Sequence, residues 1–225
     1  MNKKLVMLYT KFPEIGKSKT RIARESSELF AYIVSLCTLK DTINKVSNSK
    51  SYDFIAVVNS KEESQLFREK LGINVYVLNE SLLQSDQSQR FSFLFSNFKK
   101  SYEKIILIPS DVPSIAESSL INAFNILENN DYVFGPEYNG GVYLIGMNKN
   151  PDNIFDRVRW STENSFKDLV NNSKNKSYLL KLKGDLNKLQ DLNLFKEDIE
   201  KRSPLLYEFL ANNFYKGVKI NYAYN

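Results

Sequence analysis

Residues 4–21 read KLVMLYTKFPEIGKSKTR. Lys4–Tyr9 is a short apolar run with the character of a buried strand. Lys11-Phe12-Pro13-Glu14-Ile15-Gly16-Lys17-Ser18-Lys19-Thr20-Arg21 follows as a basic, glycine-containing turn. Helical periodicity then runs over Lys19–Val46 through Ile22, Leu29, Ile33, Leu36 and Ile43, with room for a break. A strand, a turn and a long helix in that order make the opening unit of an α/β fold.

The pattern continues outward from this unit. Tyr52–Val58 predicts a second strand, and Ser60 stands where it caps a helix over Lys61–Leu71. Asn74–Leu78 predicts a strand, Gln87–Tyr102 a helix and Lys104–Ile108 a strand. Within Gln87–Tyr102, Phe91, Phe93, Phe95 and Phe98 read mostly as core. Ser114-Ile115-Ala116-Glu117 has the capping-box pattern of a helix ending near Leu127. Tyr132–Phe134 and Val142–Met147 predict further strands. The remainder is more helical, over Thr162–Val170, Lys188–Lys201 and Leu205–Phe214, with a strand at Ser177–Leu182 and an irregular tail or edge strand at Gly217–Asn225. Such alternation predicts an α/β three-layer sandwich around a mostly parallel sheet. Right-handed crossovers put the strand-to-helix loops on one edge, where ligands bind in sheets of this kind.

Composition narrows the chemistry. The 225 residues carry 42% hydrophobic side chains and a net charge of +5, which fits an ordered globular chain. Histidine is absent and Cys37 is the only cysteine. That excludes Ser-His-Asp and Cys-His catalysis, histidine zinc sites and an intrachain disulfide. Acid, base and metal chemistry must rest on Asp, Glu, Lys, Tyr or backbone groups. Lys99-Lys100 and Lys201-Arg202 are isolated pairs rather than a basic stripe, so no nucleic-acid partner is expected. No stretch has the length of a transmembrane span or the pattern of a signal peptide, and a cytoplasmic location is expected.

Three loops can carry chemistry. The first is Lys11–Arg21, where a glycine turn entering a helix presents backbone N–H groups to phosphate and Lys11, Lys17, Lys19 and Arg21 add charge. A solvated basic loop would read the same way. It is not a P-loop, because Lys11 stands where the first glycine is required. The second is Pro109-Ser110-Asp111-Val112-Pro113, with a carboxylate at the end of an apolar strand. That suits either a Mg2+ or Mn2+ ligand or a turn cap. The third is Phe134-Gly135-Pro136-Glu137-Tyr138-Asn139-Gly140-Gly141-Val142. Its paired glycines mark either a close backbone approach to a ligand or an Asn-Gly hairpin turn.

Taken in order, Lys11, Pro13, Gly16 and Lys19-Thr20-Arg21, then Asp111-Val112-Pro113, Gly135-Pro136 with Asn139-Gly140-Gly141, Trp160-Ser161-Thr162, and Asp185 through Asp191-Leu192 resemble the DUF2064 family. These glycosyltransferase-A-like proteins are also described as radical-SAM/selenodomain-associated transferase 1. They are related to MobA-like and phospholactate guanylyltransferase-like nucleotidyltransferases. The resemblance implies a nucleotide-diphospho-sugar transferase (GT-A) fold in a single domain over 1–225. Residues 1–136 would form the nucleotide-binding half, 137–202 the acceptor half and 203–225 a C-terminal helix and tail.

It further implies a Mg2+ or Mn2+ ion held by Asp111 and Asn187, and catalytic roles for Asp111, Asn139 and Asp185. Substrate contacts would come from Lys11, Gly16, Lys19, Thr20, Arg21, Arg90, Gly140, Gly141, Trp160, Ser161 and Thr162. The expected activity is a metal-dependent glycosyltransferase using a nucleotide sugar and an acceptor. The alternatives are nucleotidyl transfer from an NTP and a non-catalytic nucleotide-binding or scaffold protein. Asn139 and Asn187 stand where the family usually has aspartate, and Ser88 where it usually has glycine. An amide can still offer a carbonyl ligand, but it brings no charge and cannot act as a base.

Overall fold

In the computed structural model, which describes residues 3–148, 150–174 and 176–215, the opening run KLVMLY is a strand buried on both faces. Its alternating side chains divide the core: Val6 and Leu8 join one apolar cluster, Leu5 and Met7 another. In chain order the elements are β1 (Lys4–Tyr9), α1 (Thr20–Glu25), α2 (Glu28–Val46), β2 (Asp53–Val58), α3 (Lys61–Leu71), β3 (Val75–Val77), α4 (Glu80–Leu83), α5 (Gln87–Phe98), β4 (Lys104–Ile108), α6 (Glu117–Ile126), β5 (Tyr132–Pro136), β6 (Val142–Met147), α7 (Ser165–Asn172), β7 (Ser177–Leu179), α8 (Leu189–Leu194), α9 (Lys196–Arg202) and α10 (Pro204–Asn213).

The strands form one sheet in the order β3-β2-β1-β4-β6-β5-β7. β1 pairs parallel with β2 and β4, β2 with β3, and β5 with β7. β6 runs antiparallel to both of its neighbours, β4 and β5. Leu39, Ile43, Phe67, Leu120 and Phe124 from α2, α3 and α6 cover one face. Phe91, Leu94, Phe95, Phe155 and Leu169 cover the other. Burial of each such side chain contributes roughly 1.5–3 kcal/mol, enough to hold the three layers together. This is the α/β sandwich that the alternation predicts. A third cluster, with Ile22, Phe30, Val34, Leu192, Ile199, Leu206 and Leu210, fastens α8, α9 and α10 to α1 and α2.

Departures from the expected elements have local causes. The long first helix breaks because Ser27 caps a new one, its hydroxyl accepting from Phe30 N–H. Asn79 caps α4 in the same way, in a stretch where no helix was expected. The Ser114 capping box does not form. Ile115 N–H closes a turn onto the Val112 carbonyl, Ala116 becomes the N-cap, and the Ser114 hydroxyl is buried without a partner. The Lys188–Lys201 helix splits at Phe195. Thr162 lies in a turn ahead of α7, with its hydroxyl on the Arg159 carbonyl. The expected tail or edge strand at Gly217–Asn225 lies outside the described residues. Among the described residues no helix is long and apolar enough to cross a membrane.

Asp41 on α2 ties the C-terminal helices to the sandwich. It is 1% exposed, and its two carboxylate oxygens accept from Leu205 N–H at 3.2 Å and Leu206 N–H at 3.0 Å. Asp41→Ala leaves both amides at the start of α10 without that acceptor. Stability should fall by about 1–3 kcal/mol, read as a lower urea midpoint at unchanged slope. An unchanged midpoint would show that α10 is held by its apolar face alone.

Candidate active site

The sheet order reverses direction between β1 and β4. Loops leaving the carboxyl ends of two such strands diverge and leave a crevice. Thr10 Oγ1 and Ser110 Oγ hydrogen-bond across its floor at 3.0 Å. Thr42 Oγ1 of α2 donates to the Ser110 carbonyl at 3.1 Å. The basic turn and the Asp111 loop are therefore anchored side by side.

Lys19 joins them. It sits at the N-cap of α1 with φ 47° and ψ 47°, a left-handed conformation that costs a non-glycine residue roughly 1–2 kcal/mol. Its Nζ donates to Asp111 Oδ2 at 3.0 Å and to the Leu186 carbonyl at 2.5 Å. Leu186 N–H donates back to the Asp111 carbonyl at 3.0 Å. Three chain segments thus meet at one ammonium group, whose side chain is 12% exposed.

Part of the turn's backbone N–H set is engaged within the protein. Phe12 N–H goes to Glu63 and Glu14 N–H to Ser18, while Lys17 and Ser18 N–H both go to the Glu14 carbonyl. These bonds fix the first part of the turn, ahead of the start of α1 at Thr20. Lys17 also pairs with Glu14 at 2.7 Å.

Asp185 is the second fixed point. Asn139 Nδ2 donates to its Oδ1 at 2.9 Å, and Asn187 Nδ2 donates to its Oδ2. Asn139 is itself held by Gly141 N–H at 2.7 Å. The paired glycines are a packing requirement. Gly140 has φ 83°, and a Cβ there would lie 2.1 Å from the Glu163 carbonyl oxygen. A Cβ on Gly141 would lie 2.2 Å from Glu137 Oε2. Burial first, then the charges of Asp185 and Asp111, push the Glu137 carboxyl up to about 8. Burial and Asp111 also raise Asp185. Asp191 has a structural role: its carboxylate accepts from Asn187 N–H and Lys188 N–H at the start of α8.

The Trp160-Ser161-Thr162 turn closes the far side. Arg159 grips Asp168 through its backbone N–H, Nε and Nη2 at 2.7–3.0 Å, which holds the Asp168 carboxyl down at about 2. Ser161 takes φ 60° within this closed turn. Trp160 packs edge-on against Phe91, and its Nε1–H donates to Ser88 Oγ at 2.8 Å. Ser88 Oγ in turn donates to the Phe155 carbonyl. The Ser88 hydroxyl thus orients the ring.

Two adjoining cavities result. One, of about 420 Å³, is bordered by Lys11, Lys17, Lys19, Thr20, Arg21, Asp111 and Asn187. The other, of about 550 Å³, is bordered by Arg21, Asn139, Gly141, Asp185, Asn187 and the Trp160-Ser161-Thr162 turn. Tyr9, Arg21, Pro109 and Asn187 border both. Gly16 and Gly140 border neither and act by shaping the backbone. Arg90 borders neither cavity; its Nε and Nη2 donate to the carbonyls of Leu82, Leu83 and Ser85 around the end of α4. Its Nη1 reaches Tyr9 Oη at 3.4 Å. Tyr9, Gln87, Glu137 and Glu163 also border the larger cavity. Tyr9, Gln87 and Glu163 are not among the expected site residues, although Tyr9 ends the first strand; Glu137 lies in the third of the loops that can carry chemistry, as one of its possible acids.

The donors around Asp111 and Asp185 are oxygens: two carboxylates, with the Asn139 and Asn187 carbonyls beside them. That set suits a hard divalent ion, and a cation there would relieve the repulsion that raises Glu137 and Asp185. Among the described residues no three His, Cys, Asp or Glu side chains converge to hold an ion by themselves. Mg2+ commonly uses one or two carboxylates plus substrate phosphates, so these residues fit an ion that arrives with a diphosphate.

The family model described as "Uncharacterized protein conserved in bacteria (DUF2064)" matches residues 42–162. No curated protein matches the chain. Among solved structures, a Desulfovibrio desulfuricans G20 protein provisionally named a nucleotide-diphospho-sugar transferase superposes with a TM-score of 0.84 at 22% identity, covering 95% of this chain and 96% of that one. A cytidylyltransferase from Leptospira borgpetersenii serovar Hardjo-bovis gives 0.58 at 12% identity, covering 95% of each chain. The 4-diphosphocytidyl-2C-methyl-D-erythritol synthase of Anaerococcus prevotii gives 0.56 at 10% identity, over 88% of this chain and 97% of that one. These identities show a shared fold, of the nucleotide-diphospho-sugar transferase type.

Glu137 makes stability depend on pH. Its carboxyl ionises near the ordinary 4.5 in the unfolded chain and near 8 in the folded one. Between those values folding takes up a proton, so stability falls as pH rises from about 4.5 to about 8 and then levels off. In EDTA-containing buffer, Glu137→Gln should gain melting temperature relative to the parent chain as pH moves from 5 to 8.5. A constant difference across that range would show that Glu137 ionises normally in the fold.

Proposed function

The chain belongs to the DUF2064 family of proteins conserved in bacteria, and from that premise we propose that it is a transferase using a nucleotide-activated donor, with glycosyl transfer as its reaction. The observation that carries this reading is the meeting of Lys19 and Asp111 at the point where the sheet order reverses. It sets a basic pocket against a carboxylate, as a metal-bound diphosphate requires.

On this reading the smaller cavity receives the donor diphosphate. Lys11, Lys19 and Arg21 neutralise its charge. Lys19 exchanges its bonds to Asp111 and Leu186 for phosphate oxygens. Asp111, with the Asn187 carbonyl, would hold Mg2+ or Mn2+, and such an ion supplies electrostatic stabilisation of a leaving diphosphate. Arg21, which borders both cavities, faces the bond that breaks. The acceptor oxygen forms the new bond to the sugar carbon, the bond from that carbon to the phosphate oxygen breaks, and the nucleoside diphosphate leaves. Asp185, oriented by two amides, takes the acceptor proton. Residues 1–136 then supply most of the donor half and 137–202 the acceptor half.

The fold shared with a cytidylyltransferase favours a second reading, nucleotidyl transfer from an NTP. Product analysis separates the two: nucleoside diphosphate release marks glycosyl transfer, and pyrophosphate release marks nucleotidyl transfer.

A nucleoside diphosphate with Mn2+, present at about a hundred times its dissociation constant, should raise the melting temperature by about 5–10 °C. Asp111→Asn should abolish the part of that rise that depends on Mn2+. A metal-dependent rise that survives the substitution would remove Asp111 from the site. The absence of any rise across a panel of nucleotides and nucleotide sugars would overturn the donor reading.

A further inference from the structure

We propose that the larger cavity selects an uncharged, polyhydroxylated acceptor (a free sugar or polyol unit) and rejects one that carries a phosphate. The inference rests on reading the smaller cavity as the donor-phosphate site, and it deepens that reading by assigning the acceptor's chemical class.

The two cavities divide the charge between them. Around the smaller one stand Lys11, Lys17, Lys19 and Arg21 against Asp111. Among the described residues that border the larger one, Glu137, Glu163 and Asp185 stand against Arg21, which sits on the shared border, with Lys19 beyond it on the Leu186 carbonyl next to Asp185. Whatever charge Glu137 carries, among the described residues that border the larger cavity there is no second cation for an acceptor phosphate. A phosphate dianion placed there would face Asp185 and Glu163, and like charges brought together at a binding surface select strongly against a ligand.

The uncharged lining suits hydroxyl groups on a carbon skeleton. Gln87 and Ser161 offer hydrogen-bonding groups. Trp160 has its N–H engaged by Ser88, so it meets a ligand through its ring. Rings of that kind receive the apolar face of a sugar, while polar groups around them fix its orientation. The volume of about 550 Å³ lies within the range of small-molecule sites.

Trp160 is the only tryptophan of the chain, so its emission reports this cavity alone. The full-length protein, with UDP or GDP and Mn2+ present, is titrated with glucose, mannose, galactose and N-acetylglucosamine, and in parallel with their 6-phosphates. Saturation-transfer NMR of the same ligands gives a second readout that does not depend on Trp160. At least one parent sugar should bind by either readout, with its 6-phosphate roughly ten-fold weaker or worse. Glu163→Lys should narrow or reverse that ratio. A 6-phosphate that binds as tightly as its parent sugar, or a panel in which no parent sugar binds by either readout, overturns the proposal. Nucleotide-induced melting shifts measured on the same samples keep the two ideas apart. Sugar selectivity without any nucleotide shift sinks the donor reading and leaves the cavity's preference standing. A nucleotide shift with phosphosugar preference does the reverse.

Discussion

The site depends on the ammonium group of Lys19. It is bonded to the Asp111 carboxylate and the Leu186 carbonyl, and so ties together the turn after β1, the loop after β4 and the strand-like segment after β7. These segments lie far apart in the chain. The parallel pairing of β1 with β4 brings the first two within reach. The bond between Leu186 N–H and the Asp111 carbonyl delivers the third. Lys19 holds a left-handed backbone to make this contact, and Ser161 across the larger cavity holds another. Strain at both rims of one crevice persists because the surrounding bonds over-determine it.

The amides of Asn139 and Asn187 gain a physical meaning from this arrangement. Carboxylates at positions 139 and 187 would stand next to Asp185, near Asp111 and Glu137. Burial already raises two of these acids above their ordinary range. Asn139 and Asn187 instead each donate a hydrogen bond to Asp185. They do part of what a cation would do, which is to hold one carboxylate still in a poorly solvated place. An amide donates to a carboxylate without adding a charge that must then be compensated. The two amides thus hold a defined Asp185 geometry without adding local negative charge.

Much of this was legible in the sequence, and what was not has common causes. The fold follows from periodicity: β1, α3, β4 and β6 lie where the apolar runs set them. The juxtaposition of the basic turn with Asp111 follows from strand order in a parallel sheet. What sequence could not supply was the destination of each polar group. The partners of Arg90 are one example: α4 is a four-residue helix with almost no periodic signal, and carbonyls at its end accept from the guanidinium. In the Lys11–Arg21 turn, Glu63, Ser18 and Glu14 accept from four of the backbone amides, partners that no local pattern names. Ser114 fits a capping pattern, yet the turn closed by Ile115 displaces it. Glu137 and Glu163 reach the larger cavity because the paired glycines let two backbone segments touch, a tertiary contact that no local pattern encodes.

The same close approach explains why the two cavities can differ in charge while sharing a wall. Gly140 lets the Glu163 turn lie against the Asn139 loop and Gly141 makes room for the Glu137 carboxylate, so the acidic side chains gather on the β5–β6 side. The lysines all issue from one turn on the β1 side. Tyr9, Arg21, Pro109 and Asn187 stand between them. A ligand that carries phosphate at one end and hydroxyls at the other gains from both sides only in one orientation. The reverse orientation would press phosphate against Asp185 and leave four cations facing an uncharged group. Orientation is therefore written into the electrostatics of the crevice before any hydrogen bond to the ligand forms. The structural source of that polarity is the reversal of strand order at β1 and β4, which sends one basic loop and one acidic half to opposite sides of a single opening.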